Sequence, residues 1–213
     1  KLITKVEERQ KRSAKRLSQK QQKEQQKEPR ASTTDSEASR MKMGDGGYRP
    51  AVNVQLAADT ESRAIVGVEV SGEGVDYEQS EPMRKQVEDR TGQKVAEHLY
   101  DGGYVKVEAI DRADEQGVTI YAPPKPPRNK DKRGDEFVPR AGDSPAIICW
   151  RQRMGGEEGK AVYKRRASTI ETINAQMRRS GLTLLTVRGL RKARCVALWS
   201  AFVFGPKGAR RQL

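Results

Sequence analysis

The sequence has few of the residues that build disulfide scaffolds, zinc sites and membrane spans. It contains two cysteines, Cys149 and Cys195, and one histidine, His98. The cysteines lie far apart without CxxC spacing, which argues against a disulfide framework or a Cys/His zinc site and fits a reducing compartment. The longest apolar run, CVALWSAFVFG, is about half of the roughly 20 residues that a membrane-spanning helix needs. We therefore expect a soluble, cytoplasmic protein without a membrane partner.

Positive charge is concentrated at the two ends of the chain. The formal net charge is +13 over 213 residues. Residues 1–30 carry eleven Lys or Arg against four Glu, and residues 172–213 carry nine Lys or Arg and no acid, so the middle is slightly acidic. This distribution suits a protein that grips a polyanion at its periphery and gathers carboxylates inside. Because the chain begins at Lys1 and not at Met, we also expect a fragment.

The first third of the chain divides into three segments. Residues 1–30 contain good helix formers up to Pro29 but only a thin apolar stripe, which predicts a charged helical segment. This helix is either solvated or in contact with DNA or a partner. Residues 31–47 are typical of a linker. Residues 52–56 and 64–70 then alternate apolar and polar side chains around the turn sequence ADTES, which predicts an antiparallel hairpin.

Helical and strand patterns alternate along the remainder of the chain. Helices are predicted at residues 78–91, 105–116 and about 157–179, with a helical pattern from Ala146 onward that breaks at 153–156. Strands are predicted at residues 97–101, 118–121 and 182–187. A Pro-rich, charged stretch at about 122–145 predicts a surface loop within the domain formed by residues 31–213. The order indicates an α/β fold, with a mixed sheet, an antiparallel hairpin and flanking helices.

Asp101 is the first candidate for a functional side chain. It ends the predicted strand HLYD, and the carboxyl ends of strands are the usual location of sites in open α/β sheets. Gly102 and Gly103 follow it, and we expect them to permit backbone angles that a Cβ forbids and to leave space for a large ligand. The alternative is that Asp-Gly-Gly is only a turn, for which these residues are favoured in any case.

Glu171 is the second candidate, on the long helix predicted at about 157–179. Asn174 and Arg178 lie within about 60° of it around an ideal helix, so the three share a face beside Ile170 and Ile173. On a half-buried face, an acid with these neighbours is costly unless it meets a partner or a metal ion. The alternatives are an intrahelical ion pair and a solvated helix face.

Several separated motifs together resemble the DDE transposases of bacterial insertion sequences, in the insertion-sequence-four-like group. The resemblance covers roughly residues 35–204 and rests on four stretches in the same order: MKMGDGGYRPAVNVQLAADTESRAIVGVEV, YDGGY, YKRRASTIETINAQMRRSGL and VRGLRKARCVALW. It implies a ribonuclease-H-like fold in which three carboxylates hold two divalent ions, Mg²⁺ or Mn²⁺. By this resemblance the chain is the carboxyl-terminal catalytic part of a bacterial transposase.

The resemblance assigns roles to individual residues. It implies that Asp101 is the second catalytic acid and metal ligand, and that Glu171 is the third. Tyr163, Arg166 and Arg178 match the family's Tyr-Arg-Glu-Lys/Arg helix signature, with Asn174 as a further supporting residue. Four residues separate Arg166 from Glu171 where three are typical, which implies a helix bulge or a different role for Arg166.

The first acid of the family lies on a central strand upstream of the hairpin, and no such strand is evident before Tyr48. Asp35, Asp45 and Asp59 lie in turn-like sequence. We therefore expect the fold to be partial, with the first strand and its acid upstream of Lys1. The missing ligand should lower both metal affinity and catalysis.

A cationic cluster precedes the last apolar run and is the candidate DNA-binding surface. It consists of Arg188, Arg191, Lys192 and Arg194. These residues predict a helix start whose cations face phosphates, or alternatively a solvated cationic face. The sequence thus predicts DNA transposition by metal-dependent phosphoryl transfer on double-stranded DNA, in a possible homo-oligomer. One alternative is an inactive nucleic-acid-binding remnant. The other is a basic RNA-associated protein, and this second alternative would leave Asp101 and Glu171 unexplained.

Overall fold

The computed structural model describes residues 32–74, 76, 79–127 and 135–209 of the chain. The charged helical segment predicted at residues 1–30 lies outside the described residues. The described strands are β1 Ser39–Lys42, β2 Tyr48–Ala51, β3 Asn53–Ala58, β4 Ile65–Ser71, β5 Glu97–Leu99 and β6 Thr119–Tyr121. The described α-helices are α1 Ser80–Thr91, α2 Val107–Glu115, α3 Pro145–Gly155, α4 Glu157–Arg179 and α5 Leu190–Ala209.

The predicted hairpin is confirmed as strands β3 and β4. They pair antiparallel, with Val54 opposite Val70 and Leu56 opposite Val68. Helix α1 packs closely on β4 because Gly67 has no side chain: a Cβ there would lie 2.6 Å from the Met83 sulfur. Val68 and Val70 alternate with Gly67 and pack on the opposite face against residues of α4 and α5, so helices cover both faces of the hairpin.

The predicted linker at residues 31–47 also contains a strand, which the sequence did not reveal. Strand β1 pairs antiparallel with β2, and Met41 lies opposite Arg49. The polar composition of this short hairpin is the physical reason, since its side chains are half-buried or exposed and show no apolar alternation.

Strands β5 and β6 form a separate parallel pair, with His98 opposite Ile120. A 3₁₀ turn at Gly102–Tyr104 and helix α2 connect the two strands. The pair is shorter than predicted, because pairing ends at Leu99, two residues before Asp101. The mixed α/β class is confirmed, although the described strands form three two-stranded sheets and not one continuous sheet.

Two hydrophobic cores hold these elements. The first contains Tyr100, Ile110, Ala113, Val118, Ile120, Ala122, Ile147, Trp150 and Met154. The second contains Val68, Val70, Ile173, Met177, Ala193, Ala197 and Ala201. Helix α4 belongs to both cores, because Tyr163 packs against the first and Ile173 lies within the second. We refer to the two cores below as the parallel-pair core and the hairpin core.

The prediction of a strand at residues 182–187 is wrong. This segment forms turns and bends, Gly181 adopts a φ of +96°, and the Leu184 side chain is 76% exposed. The predicted loop at about 122–145 contributes buried residues, since Ala122 is fully buried and Phe137 packs on the parallel-pair core. Within the described ranges, none of the helices is both long and apolar enough to cross a membrane.

Candidate functional site

Asp101 begins the 3₁₀ turn that follows strand β5. Its backbone is extended, with φ −68° and ψ 149°, and its Oδ1 accepts a hydrogen bond from the Gly103 amide at 3.4 Å. The side chain is 58% exposed. The turn that follows strand β5 therefore presents this carboxylate to solvent.

The two glycines after Asp101 have a different structural role from the predicted one. Neither has a positive φ, so the expectation that they allow unusual backbone angles is wrong. A Cβ on Gly102 would lie 3.0 Å from the carbonyl oxygen of Pro123, whereas a Cβ on Gly103 would meet nothing within 4 Å. Gly102 therefore permits a close approach of two backbone segments, and Gly103 leaves open space beside the carboxylate.

Arg166 on helix α4 is the cationic partner of Asp101. Its Nη2 lies 3.3 Å from Asp101 Oδ2, and its guanidinium lies 5.8 Å from the centre of the Tyr163 ring. Burial raises the pKa of Tyr163. The Arg166 charge opposes this increase, and the Asp101 charge adds to it. Two of the predicted supporting residues thus gather at Asp101.

A polar network beside this pair escaped the sequence-based interpretation. The Asn53 and Gln55 side-chain amides both donate to Asp76 Oδ1, at 2.8 and 2.7 Å. The Tyr104 hydroxyl donates to Gln55 Oε1. Burial raises the pKa of Tyr104 to about 12, and the Asp76 carboxylate acts in the same direction. Asp76 follows strand β4 in a glycine-rich stretch, so the rule that singled out Asp101 could also have found it.

A cavity of about 700 Å³ opens beside these residues. Its walls are formed by strand β3 with the turn after it, by the segment leading into Asp101, and by helices α1 and α4. Asp101, Tyr104 and Arg166 all line it. The cavity lies within the range of about 300–1,000 Å³ that is typical of ligand sites. We call it the inter-sheet groove, because it lies between β3 and β5.

Glu171 lies elsewhere on helix α4. The helix continues without interruption from Glu157 to Arg179, so it has no bulge at this point. Five steps along an ideal helix turn Glu171 about 140° away from Arg166. Glu171 is exposed and is not among the residues lining the groove, so the predicted half-buried environment is wrong.

The other supporting residues share the side of α4 that carries Glu171. Asn174 is half-buried there, and Arg178 is exposed. The structure therefore brings together Asp101, Tyr163 and Arg166 but leaves Glu171, Asn174 and Arg178 on a different face.

The donor atoms around Asp101 do not make up a two-metal centre. Divalent ions such as Mg²⁺ require several oxygen ligands. No three His, Cys, Asp or Glu side chains come close enough together to hold a metal ion in the part of the chain that the structure describes. The nearest charged partner of Asp101 is the Arg166 cation. Asp101 thus offers one carboxylate, and the remaining ligands would have to be supplied by other groups.

The predicted DNA-binding residues lie at the start of helix α5 and are exposed. Two carboxylates from the linker predicted at residues 31–47, far from α5 in sequence, bind the helix start: the Gly189 amide donates to Asp35 at 2.9 Å and the Leu190 amide to Glu37 at 3.0 Å. The Gly189 bond lowers the pKa of Asp35, and the Arg188 charge assists. The linker acids thereby stabilise the positive helix terminus.

Acids compensate the cationic cluster only in part. Arg194 pairs with Glu69 at 3.2 Å, and Arg188 lies close enough to Asp35 to act on its pKa. Arg191 and Lys192 have no ion-pair partner among the residues that the structure describes. These two cations are therefore the ones most readily offered to a polyanion.

Comparison with known proteins identifies a family. A family model described as Transposase DDE domain matches residues 18–204, which is most of the chain. No curated protein and no solved structure matches. The matched range includes the Asp101 turn, all of helix α4 and the start of helix α5.

Proposed function

We propose that this chain, which belongs to the transposase DDE domain family, serves DNA transposition by cutting and joining DNA strands at insertion-sequence ends through metal-dependent phosphoryl transfer. Its partners are the transposon ends and the target DNA, with a homo-oligomer as the assembly. Within this proposal the chain belongs to the insertion-sequence-four-like group and acts in the cytoplasm of a bacterial cell.

The environment of Asp101 is the observation that carries this proposal. An exposed carboxylate follows a parallel strand, borders the inter-sheet groove and contacts an arginine of helix α4. A guanidinium donates paired hydrogen bonds to phosphate oxygens as well as to carboxylates. Arg166 can therefore exchange Asp101 for a DNA phosphate, which would leave the carboxylate free and place the phosphate next to it.

Divalent metal ions serve this family by stabilising charge on the attacking and leaving oxygens. In our proposal Asp101 is one metal-ligating acid and Glu171 another, as the family resemblance implies. In an ideal helix the Glu171 carboxylate lies about 140° from Arg166. The proposal therefore requires helix α4 to rotate or partly unwind when DNA and metal bind.

The sequence offers three aspartates in turns as candidates for the first acid, and each of their carboxylates is already hydrogen-bonded. Asp35 binds the start of α5, Asp45 binds the Gly47 amide, and Asp59 binds the Ser62 amide and hydroxyl. We propose that this acid comes from a segment upstream of Lys1. The alternative function is a nucleic-acid-binding remnant that does not cut, which is favoured by the uncompensated cations Arg191 and Lys192 beside an incomplete set of acids.

DNA binding is tested by removing the two uncompensated cations. The double variant Arg191→Gln/Lys192→Gln should bind double-stranded DNA more weakly, and the slope of log affinity against log salt should fall by about 2, since each lost phosphate contact removes about 0.9. Fluorescence anisotropy over a salt series measures both quantities. The control Lys85→Gln/Arg90→Gln removes the same charge from exposed positions of α1. Equal losses in the two double variants would contradict a DNA surface on α5.

The metal proposal is tested with Mn²⁺, whose unpaired electrons broaden nearby NMR signals. Amide signals of Gly102 and Gly103 should broaden in the wild-type chain and stay sharp in Asp101→Asn. Glu171→Gln should weaken the broadening in the presence of DNA, if helix α4 rearranges as proposed. Glu115→Gln, an exposed acid on α2, is the control. Broadening that is the same in Asp101→Asn as in the wild type would exclude Asp101 as a ligand.

A further inference from the structure

Strands β1 and β2, with the turn that joins them, form a hairpin on the surface that we call the β1–β2 ribbon. Among the described strands, these two pair only with each other. None of the residues 39–51 is fully buried, and none belongs to the parallel-pair core or to the hairpin core. The ribbon therefore contributes little to the packed interior of the chain.

One face of the ribbon is exposed to solvent along its whole length. Side chains of a strand alternate between two faces, and residues directly opposite each other share a face. The strand register places four exposed side chains on this face: Arg40, Lys42, Tyr48 and Pro50. The other face turns toward the protein, where a Cβ on Gly74 would lie 3.2 Å from Met41 Cγ. The exposed face is thus the one that a partner can reach.

The exposed face carries positive charge that no acid neutralises. Arg40 and Lys42 have no ion-pair partner in the part of the chain that the structure describes. The one acid of the ribbon, Asp45, forms an ion pair with Arg49, which lies on the other face. Two adjacent cations on an exposed strand face attract a polyanion.

The Arg40 side chain is held in place by an aromatic ring. Its guanidinium carbon lies 5.0 Å from the centre of the Tyr48 ring, within the usual range of about 6 Å for a cation–π contact. This contact limits the rotamers of Arg40 but does not use its N–H groups in an ion pair. A guanidinium fork donates paired hydrogen bonds to O6 and N7 of guanine, which lie in the major groove of DNA.

The shape of the ribbon favours double-stranded DNA over double-stranded RNA. The major groove of B-DNA is about 12 Å wide and admits a two-stranded β-ribbon. The major groove of duplex RNA is too deep and narrow for side chains to read its bases. An exposed ribbon face with an arginine and a lysine therefore fits the major groove of DNA.

The linker holds the ribbon close to the cationic cluster of helix α5. Glu37 accepts a hydrogen bond from the Leu190 amide at 3.0 Å, and β1 begins two residues later. Five residues of extended chain span at most about 18 Å, so the Lys42 Cα lies within that distance of the Glu37 Cα. One helical turn of DNA is about 34 Å long. A single duplex is therefore long enough to contact both the start of α5 and the ribbon.

We propose that the β1–β2 ribbon is a second DNA-contacting element, which enters the major groove of the duplex bound by α5. Arg40 donates to the major-groove edge of a guanine, and Lys42 contacts a phosphate. The inference rests on the proposed function, because it takes DNA as the partner, but it requires neither metal ions nor strand cleavage. Phosphate contacts carry no sequence information directly, so Arg40 adds a preference for certain sequences that the α5 cations do not supply.

The guanine contact is tested with two duplexes of about 20 base pairs, roughly two helical turns, and of randomised sequence. One contains guanine, and the other contains 7-deazaguanine, which lacks the N7 acceptor. Fluorescence anisotropy with the full chain at about 0.15 M salt should show at least about threefold weaker binding to the 7-deazaguanine duplex. Arg40→Lys keeps the charge but loses the fork, so it should bind the two duplexes equally. Equal binding of both duplexes by the wild-type chain would overturn the guanine contact.

Protein variants test the exposed face of the ribbon. Arg40→Gln should weaken binding to the guanine duplex at least about fivefold. Lys42→Gln should reduce the slope of log affinity against log salt by about 0.9, the value for one phosphate contact. Arg49→Gln is the matched control, because it removes the same charge from the opposite face of the ribbon, and it should change the affinity less than about twofold. Circular dichroism checks that each variant folds.

The outcomes separate this inference from the proposed function. If the wild-type chain binds neither duplex, both are wrong. If Arg191→Gln/Lys192→Gln weakens binding but Arg40→Gln and Lys42→Gln do not, only the role of the ribbon is wrong. Equal losses in Arg40→Gln and Arg49→Gln would mean that net charge alone acts. Duplex RNA bound as tightly as the guanine duplex would contradict the placement in the major groove.

Discussion

The two cores of this chain are built from different side chains, and helix α4 spans both. The parallel-pair core surrounds Trp150, which is 1% exposed and whose indole N–H donates to the Ala122 carbonyl at 3.0 Å. The hairpin core relies on small residues of helix α5, among them Ala193 and Ala197, packed against Val68. Because the strands of the two regions do not pair with one another, α4 and a few polar contacts determine how Asp101 faces the hairpin.

The largest expected effect comes from emptying the parallel-pair core. Trp150→Ala should reduce the free energy of unfolding by about 3–5 kcal/mol, because it leaves a large cavity and an unpaired Ala122 carbonyl. Urea unfolding followed by circular dichroism measures the change. Trp199→Ala is the matched control, since Trp199 is 68% exposed and its loss should cost less than about 0.5 kcal/mol. Similar losses in the two variants would contradict the assignment of Trp150 as the centre of this core.

Emptying the hairpin core should have a somewhat smaller effect. Met177 is 2% exposed, and Met177→Ala should cost about 2–5 kcal/mol, toward the lower end because neighbouring small residues allow partial collapse. Hydrogen exchange should accelerate mainly in β4 and α5, and only weakly in β5 and β6. Leu184→Ala, at a 76% exposed position, is the control. Uniform acceleration across both regions would show that the two cores do not respond separately.

A third test acts at the boundary between the regions, where His98 lines the groove. Burial lowers the pKa of His98 from 6.5 to about 4, with the Arg84 charge acting in the same direction and Glu88 opposing it. As the pH falls from 6.5 toward 4, the unfolded chain binds a proton that the folded chain does not. Stability is therefore lost in this window, on the order of 1–2 kcal/mol by pH 5. His98→Asn should reduce the loss between pH 7 and 5, as measured by urea unfolding; an unchanged loss would contradict the prediction.

The smallest effect is expected from the hydrogen bond that joins the two regions. Tyr104→Phe removes the donor to Gln55, whose side chain is 5% exposed, and should cost about 1 kcal/mol. Tyr48→Phe, at a 58% exposed tyrosine, should change the unfolding free energy by less than about 0.5 kcal/mol. Tyr104→Phe should also speed hydrogen exchange at the Gly102 and Gly103 amides, since the turn loses its attachment to β3. No difference between the two variants would mean that this bond does not tie the regions together.

Local patterns predicted the elements well, whereas contacts between distant residues escaped prediction. The β3–β4 hairpin and helix α4 follow from alternation and from helical periodicity, which depend only on neighbouring residues. The segment at 182–187 has strand-like composition but pairs with none of the described strands, and it forms turns and bends instead. The hydrogen bonds of Asp76 and the contact of Arg166 with Asp101 depend on how separate elements pack, and a sequence pattern does not encode that directly.

The Asp101 turn and the Glu171 stretch show the same limit at the site. The position of Asp101 just after a strand could be predicted, because the strand pattern and the two glycines that follow it are local features. The direction of Glu171 depends on the rotation of α4, which is determined by the burial of Ile173 and Met177 in the hairpin core. Arg166 then faces Asp101, and Glu171 faces solvent.

Photo-crosslinking tests most directly the claim that DNA is held at Asp101. Double-stranded DNA with a photoreactive group on a backbone phosphate would be bound, irradiated and digested, and the attached peptides identified by mass spectrometry. The account predicts crosslinks both at the start of helix α5 and in the turn at Gly102–Tyr104, with the latter lost in Arg166→Gln. Crosslinks confined to α5, with none at the turn in the wild-type chain, would contradict it.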